Sequence, residues 1–430
     1  VPSCPRGLEV LKRIKIKNFK SLAEVSLDLP PLAVIFGPNA TGKSNFLDAL
    51  QLLSRLATAR TVAEALDESV IRGYPAEQFS LPSGGLSKLL KQDQASFSLE
   101  ADLQTRRQKQ IHNLRYRIGI KIQPATGALG VSEEYLRRLT KDFQEIKAWP
   151  PRIETEGREG VIRRVGKASR PEKYNTHEVN YTVLSERRLT GTYYADFDQA
   201  RAELGSWQIY YLEPRQAMRG SAPPREVTDI GAQGHNLASF LYRLKHDEDR
   251  KPAFNAVVRS LRTIIPSIEG IDVELNEKLG YLDVQLIEEG TSFSLRLVSE
   301  GTLRVLALCA IAFNPWAGSL VAFEEPENGV HPKRLEHIVN LLIYMSQYRQ
   351  VVVTTHSPPL VSAMLELARN KPNRIGLFVC RRRHGSTVLE EFEPTGPIFE
   401  QSEIGKGLED PRELERIVFA RALLEGWIDG

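Results

Sequence analysis

The sequence predicts an α/β fold, on three observations. Leu32–Phe36 is an unbroken apolar run that stops at Gly37, as a strand covered on both faces does. Past Lys43 the period changes to Phe46, Ala49, Leu50, Leu53 and Ala57, the spacing of an amphipathic helix. Further on, a helix at 300–313, a buried strand at 319–325, a helix at 332–346 and a buried strand at 350–354 alternate, the order of a sheet with helical crossovers.

The other elements follow from the same two periods. Ile14 and Ile16 alternate with Arg13, Lys15 and Lys17, and Val25, Leu27 and Leu29 alternate with Ser26 and Asp28, so two half-buried strands precede the buried one. Phe97, Leu99, Ala101 and Leu103 alternate with Ser98, Glu100 and Asp102. Leu114, Tyr116, Ile118, Ile120 and Ile122 alternate with Arg115, Arg117 and Lys121. The acidic polar face of one strand and the basic polar face of the other predict antiparallel pairing through cross-strand ion pairs. Residues 133–205 are charged and carry Pro150, Pro151 and Pro171 with little clean period; they are read as an inserted, partly helical arm. From Trp207 the core resumes, with a helix at 236–244 and alternating strands at 271–275, 281–287 and 293–298. The expected division is an N-terminal lobe at 1–132, the arm at 133–205 and a C-terminal lobe at 206–430.

Composition narrows the class. The 430 residues are 41% hydrophobic and 26% charged, which suits a packed core and argues against disorder or a filament. No run approaches the roughly 18–20 apolar residues of a membrane span, and residues 1–20 lack the apolar centre of a secretory leader. The 57 basic and 54 acidic residues give +3, too balanced to argue for nucleic acid without local clusters. Cys4, Cys309 and Cys380 are scattered, with neither disulfide nor zinc spacing, and suit a reducing cytoplasm. Cys309 lies in an apolar run and is expected to be a buried, inert thiol.

Four short segments carry chemistry. Gly37-Pro-Asn-Ala-Thr-Gly42-Lys43-Ser44 fits G-x-x-x-x-G-K-[ST] without mismatch, between a buried strand and an amphipathic helix. Gly37, Asn39, Ala40, Thr41, Gly42, Lys43, Ser44 and Asn45 are therefore the expected phosphate cradle. Backbone N–H groups and the helix start face the anion. Lys43 neutralises the β- and γ-phosphates, and the Ser44 hydroxyl ligates Mg²⁺. The apolar strand ending in Glu324 and Glu325 places two carboxylates on opposite sides, one suited to holding Mg²⁺ and the other to polarising a water. Two solvated acids at a finished strand are the plain alternative, disfavoured by the phosphate loop. His356 ends the next apolar strand, where ligands collect in such sheets, and is expected at the γ-phosphate. Ser299-Glu-Gly301-Thr302 opens an apolar helix and forms a second anion-binding end, a weak signal alone.

In this order the segments resemble the ABC-type ATPases of the SMC/RecF/OLD branch, specifically the compact RecF-like AAA family of bacteria. Ile16-Lys-Asn-Phe-Lys-Ser-Leu22 is similar to the family's first strand and turn, Gly37–Ser44 to Walker A, and Val298-Ser-Glu-Gly-Thr-Leu-Arg304 to its signature. Phe323-Glu-Glu-Pro-Glu-Asn-Gly-Val-His-Pro332 is similar to Walker B and the D-loop, and Thr354-Thr-His-Ser-Pro358 to the switch histidine. The resemblance covers both ends of the chain and leaves out the arm. It implies an ABC/SMC-type P-loop ATPase head with a mixed β-sheet lobe and an inserted arm subdomain. It makes Glu324 the Mg²⁺ carboxylate and Glu325 the general base, with Lys43 and His356 completing the catalytic set. It sends Ser299 and Gly301 to the γ-phosphate of ATP bound to a second subunit, hence an ATP-sandwiched homodimer released by hydrolysis. The Q-loop glutamine has no clear place; Gln92 and Gln94 are candidates, and a residue elsewhere is the alternative.

The sequence leaves the driven process open. No heptad run supports a long arm, and no D-x-D follows His356, so neither an SMC-type coiled coil nor an appended nuclease is expected. The S-E-G-T signature departs from the S-G-G-Q of transporters. Three basic clusters are candidate DNA or RNA contacts: Arg152, Arg158, Arg163, Arg164, Lys167, Arg170 and Lys173 in the arm; Arg106, Arg107 and Lys109; and Arg381 to His384. Aromatics among them are sparse, so stacking on single strands is not suggested. Two functions remain. One is a clamp or sensor of nucleic acid in DNA repair or phage defence, with a separately encoded effector. The other is an ATP-gated switch that holds a toxic or enzymatic protein partner and never touches DNA.

Overall fold

The computed structural model describes residues 10–392, apart from 69–70, 108–109, 147, 167–169, 177–178 and 372. Cys4, Lys109 and Lys167 lie outside the described residues.

The central sheet has six strands in the order Gln208–Tyr210, Leu320–Glu324, Gln350–Thr355, Leu32–Phe36, Ile375–Arg383 and Ser386–Glu391. The first five are parallel and the last is an antiparallel edge. Alternation explains why its strands read as unbroken apolar runs. Leu32, Val34 and Phe36 enter one core, and Ala33 and Ile35 the other. The first core holds helices Leu237–His246, Lys251–Ile264, Glu300–Ala312, Leu335–Ser346 and Pro358–Asn370, with a three-stranded sheet of Ile268–Asn276, Tyr281–Glu288 and Thr291–Ser294. The second lies between the phosphate-loop helix Lys43–Leu56 and an eight-stranded antiparallel sheet.

Gln350 ties the two sheets together. Its Oε1 accepts from Leu11 N at 2.8 Å, and its Nε2 donates to Leu11 O at 2.9 Å and to Pro30 O at 3.1 Å. A buried amide satisfied on both ends contributes about 1 kcal/mol per hydrogen bond and fixes the register of the first strand.

The expected hairpin pairs as Ala95–Arg107 with Gln110–Gln123. Arg115 sits opposite Asp102 at 2.7 Å and Arg117 reaches Glu100 at 3.1 Å. Both acids are nearly buried, and the hydrogen bond from Arg115 to Asp102 raises the guanidinium's pKa.

Some elements differ from the sequence reading. The strand expected at 293–298 ends at Ser294, because Leu297 N and Val298 N turn back onto Ser294 O and Leu295 O. Helix Lys251–Ile264 was not foreseen, although Phe254, Val257, Leu261 and Ile264 share its buried stripe. The 132/133 division falls inside the strand Ala128–Leu139. Beyond it, Ile153–Glu156, Glu159–Ile162 and Glu172–Asn175 extend the same eight-stranded sheet, and helix Ala195–Gly205 packs back on Ala95–Arg107. No helix among the described residues is long and apolar enough to cross a membrane. Cys309 is fully buried, which pushes its thiol pKa up to about 12.

Candidate nucleotide site

The phosphate loop links the end of Leu32–Phe36 to the start of Lys43–Leu56. Gly42 has φ +106°, and a Cβ there would lie 2.0 Å from Thr387 Oγ1, so only glycine fits. Ala40 is also left-handed, at φ +64°. Lys43 Nζ donates to Gly37 O at 2.8 Å and Pro38 O at 2.7 Å, closing the loop around its own lysine. Burial pushes the Lys43 pKa down, opposed by the nearby Glu325 and Glu324 carboxylates.

The loop is braced from distant segments. Thr387 Oγ1 donates to Thr41 O at 2.6 Å and bonds the Ser21 hydroxyl, which accepts from Asn45 Nδ2 at 2.7 Å. Arg382 Nη1 donates to Ala40 O at 3.3 Å. This resolves one basic cluster: Arg381 and Arg383 share a strand face and pair with Glu390, while Arg382 points the other way, to the loop.

Glu324 and Glu325 leave the strand end differently. The Ser44 hydroxyl donates to Glu324 Oε1, which also faces Arg72 Nη1 at 3.3 Å. Glu325 sits at φ +45°, an uncommon conformation for a side-chain-bearing residue and one that marks functional sites. Its backbone is held by Glu325 N to Thr354 O at 2.9 Å and by Arg304 Nη1 to Glu325 O at 3.1 Å. Its Oε1 lies 2.7 Å from His356 Nδ1. The carboxylate and imidazole thus meet across the neighbouring strand ends.

Ser299 stands apart, exposed at the head of Glu300–Ala312. Its hydroxyl accepts from Thr302 N at 3.2 Å, capping that helix. Gly301 touches the segment after Glu325 so closely that a Cβ would lie 2.1 Å from Gly329 O. Gly301→Ala must part the helix from that segment, and overpacking of this kind costs about 1–3 kcal/mol. The expected result is a lower thermal midpoint; an unchanged one contradicts the contact.

Several site groups were not foreseen. Asp48 is nearly fully buried on the phosphate-loop helix, where Lys20 Nζ at 2.6 Å, Arg72 Nη2 at 3.2 Å and the Tyr211 hydroxyl at 3.0 Å converge. A lone aspartate among Leu47, Ala49 and Leu50 was the available signal. Arg304 and Glu327 were missed as well. Burial raises the Glu327 pKa, and Thr355 donates a hydrogen bond to its carboxylate. Among the described residues no hydrogen bond joins Gln92 or Gln94 to the loop or to Glu324; both are exposed. Arg72 is the residue from that stretch that reaches Glu324.

The donor set fits Mg²⁺. Ser44 and Glu324 offer hard oxygens from two elements, and no group of three or more His, Cys, Asp or Glu that could hold a metal occurs among the described residues. Mg²⁺ characteristically takes one or two protein oxygens and completes its shell with phosphates and water.

Fold and site define a P-loop ATPase head of the ABC/SMC type, in the SMC/RecF/OLD branch. The chain belongs to the family described as "AAA domain, putative AbiEii toxin, Type IV TA system", whose model matches residues 32–362. It is similar to an OLD nuclease of Thermus scotoductus, 46% identical over 44 residues, 10% of this chain and 8% of that one. It is also similar to the DNA replication and repair protein RecF of Lactococcus lactis subsp. cremoris, 32% identical over 97 residues, 22% of this chain and 24% of that one. The matched stretches thus span under a quarter of those relatives. The crystal structure of an SmcHead bound to the C-winged helix domain of ScpA shares the fold, with a TM-score of 0.51 and 14% identity over 90% of this chain and 98% of that one.

Proposed function

We propose that the protein binds ATP with Mg²⁺, hydrolyses it, and works as an ATP-gated dimeric clamp or sensor of nucleic acid, in DNA repair or phage defence with a separately encoded effector. The observation that carries this reading is the split of the site. Lys43, Ser44, Glu324, Glu325 and His356 gather at the C-terminal ends of three interior strands of the central sheet, while Ser299 faces solvent at the head of another helix. A helix start that caps only itself is free to cap a phosphate held by a second copy.

Lys43 exchanges its two loop carbonyls for the β- and γ-phosphates. Ser44 and Glu324 would hold Mg²⁺, which supplies charge neutralisation at the phosphates. Arg72 yields or shares Glu324 as that happens. Glu325 takes the proton of the attacking water, and its contact with His356 Nδ1 leaves Nε2 for the γ-phosphate. Ser299 and Gly301 of the second copy close the site, so turnover requires the dimer.

The test of the nucleic-acid clause is retention of duplex DNA by Glu325→Gln with ATP, compared with the same protein without nucleotide. ATP-dependent retention is expected. Its absence, with a stoichiometric protein co-purifying, contradicts that clause and favours the switch that holds a protein partner.

A further inference from the structure

The arm's basic cluster is not a loose charged surface. Against the outer flank of the eight-stranded sheet lies a cavity of about 540 Å³ whose lining includes Arg138, Trp149, Arg152, Arg163 and Arg164. That volume is within the range of sites for small ligands.

Its charge is unbalanced and held in place. Asp196 is fully buried and accepts from Arg138 Nε at 2.7 Å and from Arg152 Nε at 2.8 Å, so two guanidiniums share one carboxylate. Their side chains are only 20% and 13% exposed. Arg163 pairs with Glu154 at 2.8 Å. Arg164 Nε donates to the Tyr194 hydroxyl at 3.0 Å and has no carboxylate partner among the described residues. The cavity therefore carries more guanidinium than carboxylate. Partly buried excess charge is costly until an anion completes it.

The fold also brings an aromatic group, Trp149, over Arg138, eleven residues away in sequence. Trp149 is 46% exposed, with Arg138 Cζ 5.8 Å from its ring centroid. A fixed guanidinium cluster beside a partly exposed indole suits a ligand with a phosphate and a planar base.

We propose that this cavity binds one nucleotide unit of a single nucleic-acid strand, its phosphate among the arginines and its base on Trp149. This deepens the proposed function by giving the nucleic-acid partner a place on the fold, and it rests on that reading. Arg138 and Arg152 would position the phosphate while Asp196 keeps them in register. Arg164, exposed at the rim, is the adjustable contact.

The test is fluorescence anisotropy of a labelled short oligothymidylate with the full chain, in EDTA and without ATP. Trp149→Ala is expected to weaken binding by roughly 5–150-fold, since a stacked base is worth about 1–3 kcal/mol. Arg164→Ala is expected to lower the slope of log K against log salt by about 0.7, the share of one single-strand phosphate. Circular dichroism and MgATP binding should match the native protein in both variants, which separates a lost contact from lost folding. Thymidine monophosphate, titrated against tryptophan emission, identifies the source: Trp149-dependent quenching with no strand binding keeps the nucleotide chemistry and assigns it to a free nucleotide, overturning the strand. Superimposed strand-binding curves for native and both variants overturn the site altogether. Intact ATP binding in that event leaves the ATPase reading standing, whereas native protein that binds the strand in a Trp149-dependent way but does not bind ATP sinks only the ATPase reading.

Discussion

Lys43→Ala is expected to abolish ATP binding at ordinary nucleotide concentrations. The ammonium makes two hydrogen bonds to loop carbonyls, and the proposed function transfers both to phosphate oxygens. Hydrogen bonds to charged groups contribute about 1.5–3 kcal/mol each, so losing two weakens binding by roughly 10²–10⁴-fold. The protein should still fold, because Gly42 and the Thr387–Thr41 contact set the loop without the lysine. Isothermal titration with ATP and Mg²⁺ checks the affinity, and far-UV circular dichroism checks the fold. Unchanged affinity refutes the phosphate-loop assignment.

Glu325→Gln is expected to keep ATP binding and lose turnover. The amide preserves size and can still bond His356, yet it cannot accept a proton from water. Removal of a general base costs about 10²–10⁴-fold in rate. Its backbone supports, Thr354 O and the Arg304 guanidinium, do not depend on the side chain, so the φ of +45° should persist. Phosphate release under saturating ATP measures the loss. Ordinary turnover moves the base elsewhere, and Glu327, buried beside Thr355, is then the next carboxylate to substitute.

What was legible in the sequence is what short-range pattern encodes. Leu32–Phe36, the glycine spacing of the loop and the helix after it are contiguous, so period and turn chemistry disclose them together. The strand ends at Glu324 and His356 are legible for the same reason, as polar residues closing apolar runs. The Asp48 network was hidden because Lys20, Arg72 and Tyr211 come from three separated segments and meet only in the fold. Thr387 and Arg382 reach the loop from more than three hundred residues away in sequence. The arm resisted reading because the three strands it adds beyond Ala128–Leu139 are four residues each, too short to display a two-residue period. Trp149 illustrates the limit: it stands three residues before the basic cluster in sequence, and only the fold brings it over Arg138.

In the proposed function, ATP joins two copies through Lys43 of one and Ser299 of the other. Light scattering of Glu325→Gln on a sizing column, with and without ATP and Mg²⁺, measures whether it does. The expected mass is that of one 48.4 kDa chain without nucleotide and of two with it, with loss of the larger species when Ser299→Arg is added. A protein that binds ATP tightly yet has the same mass in both conditions contradicts it.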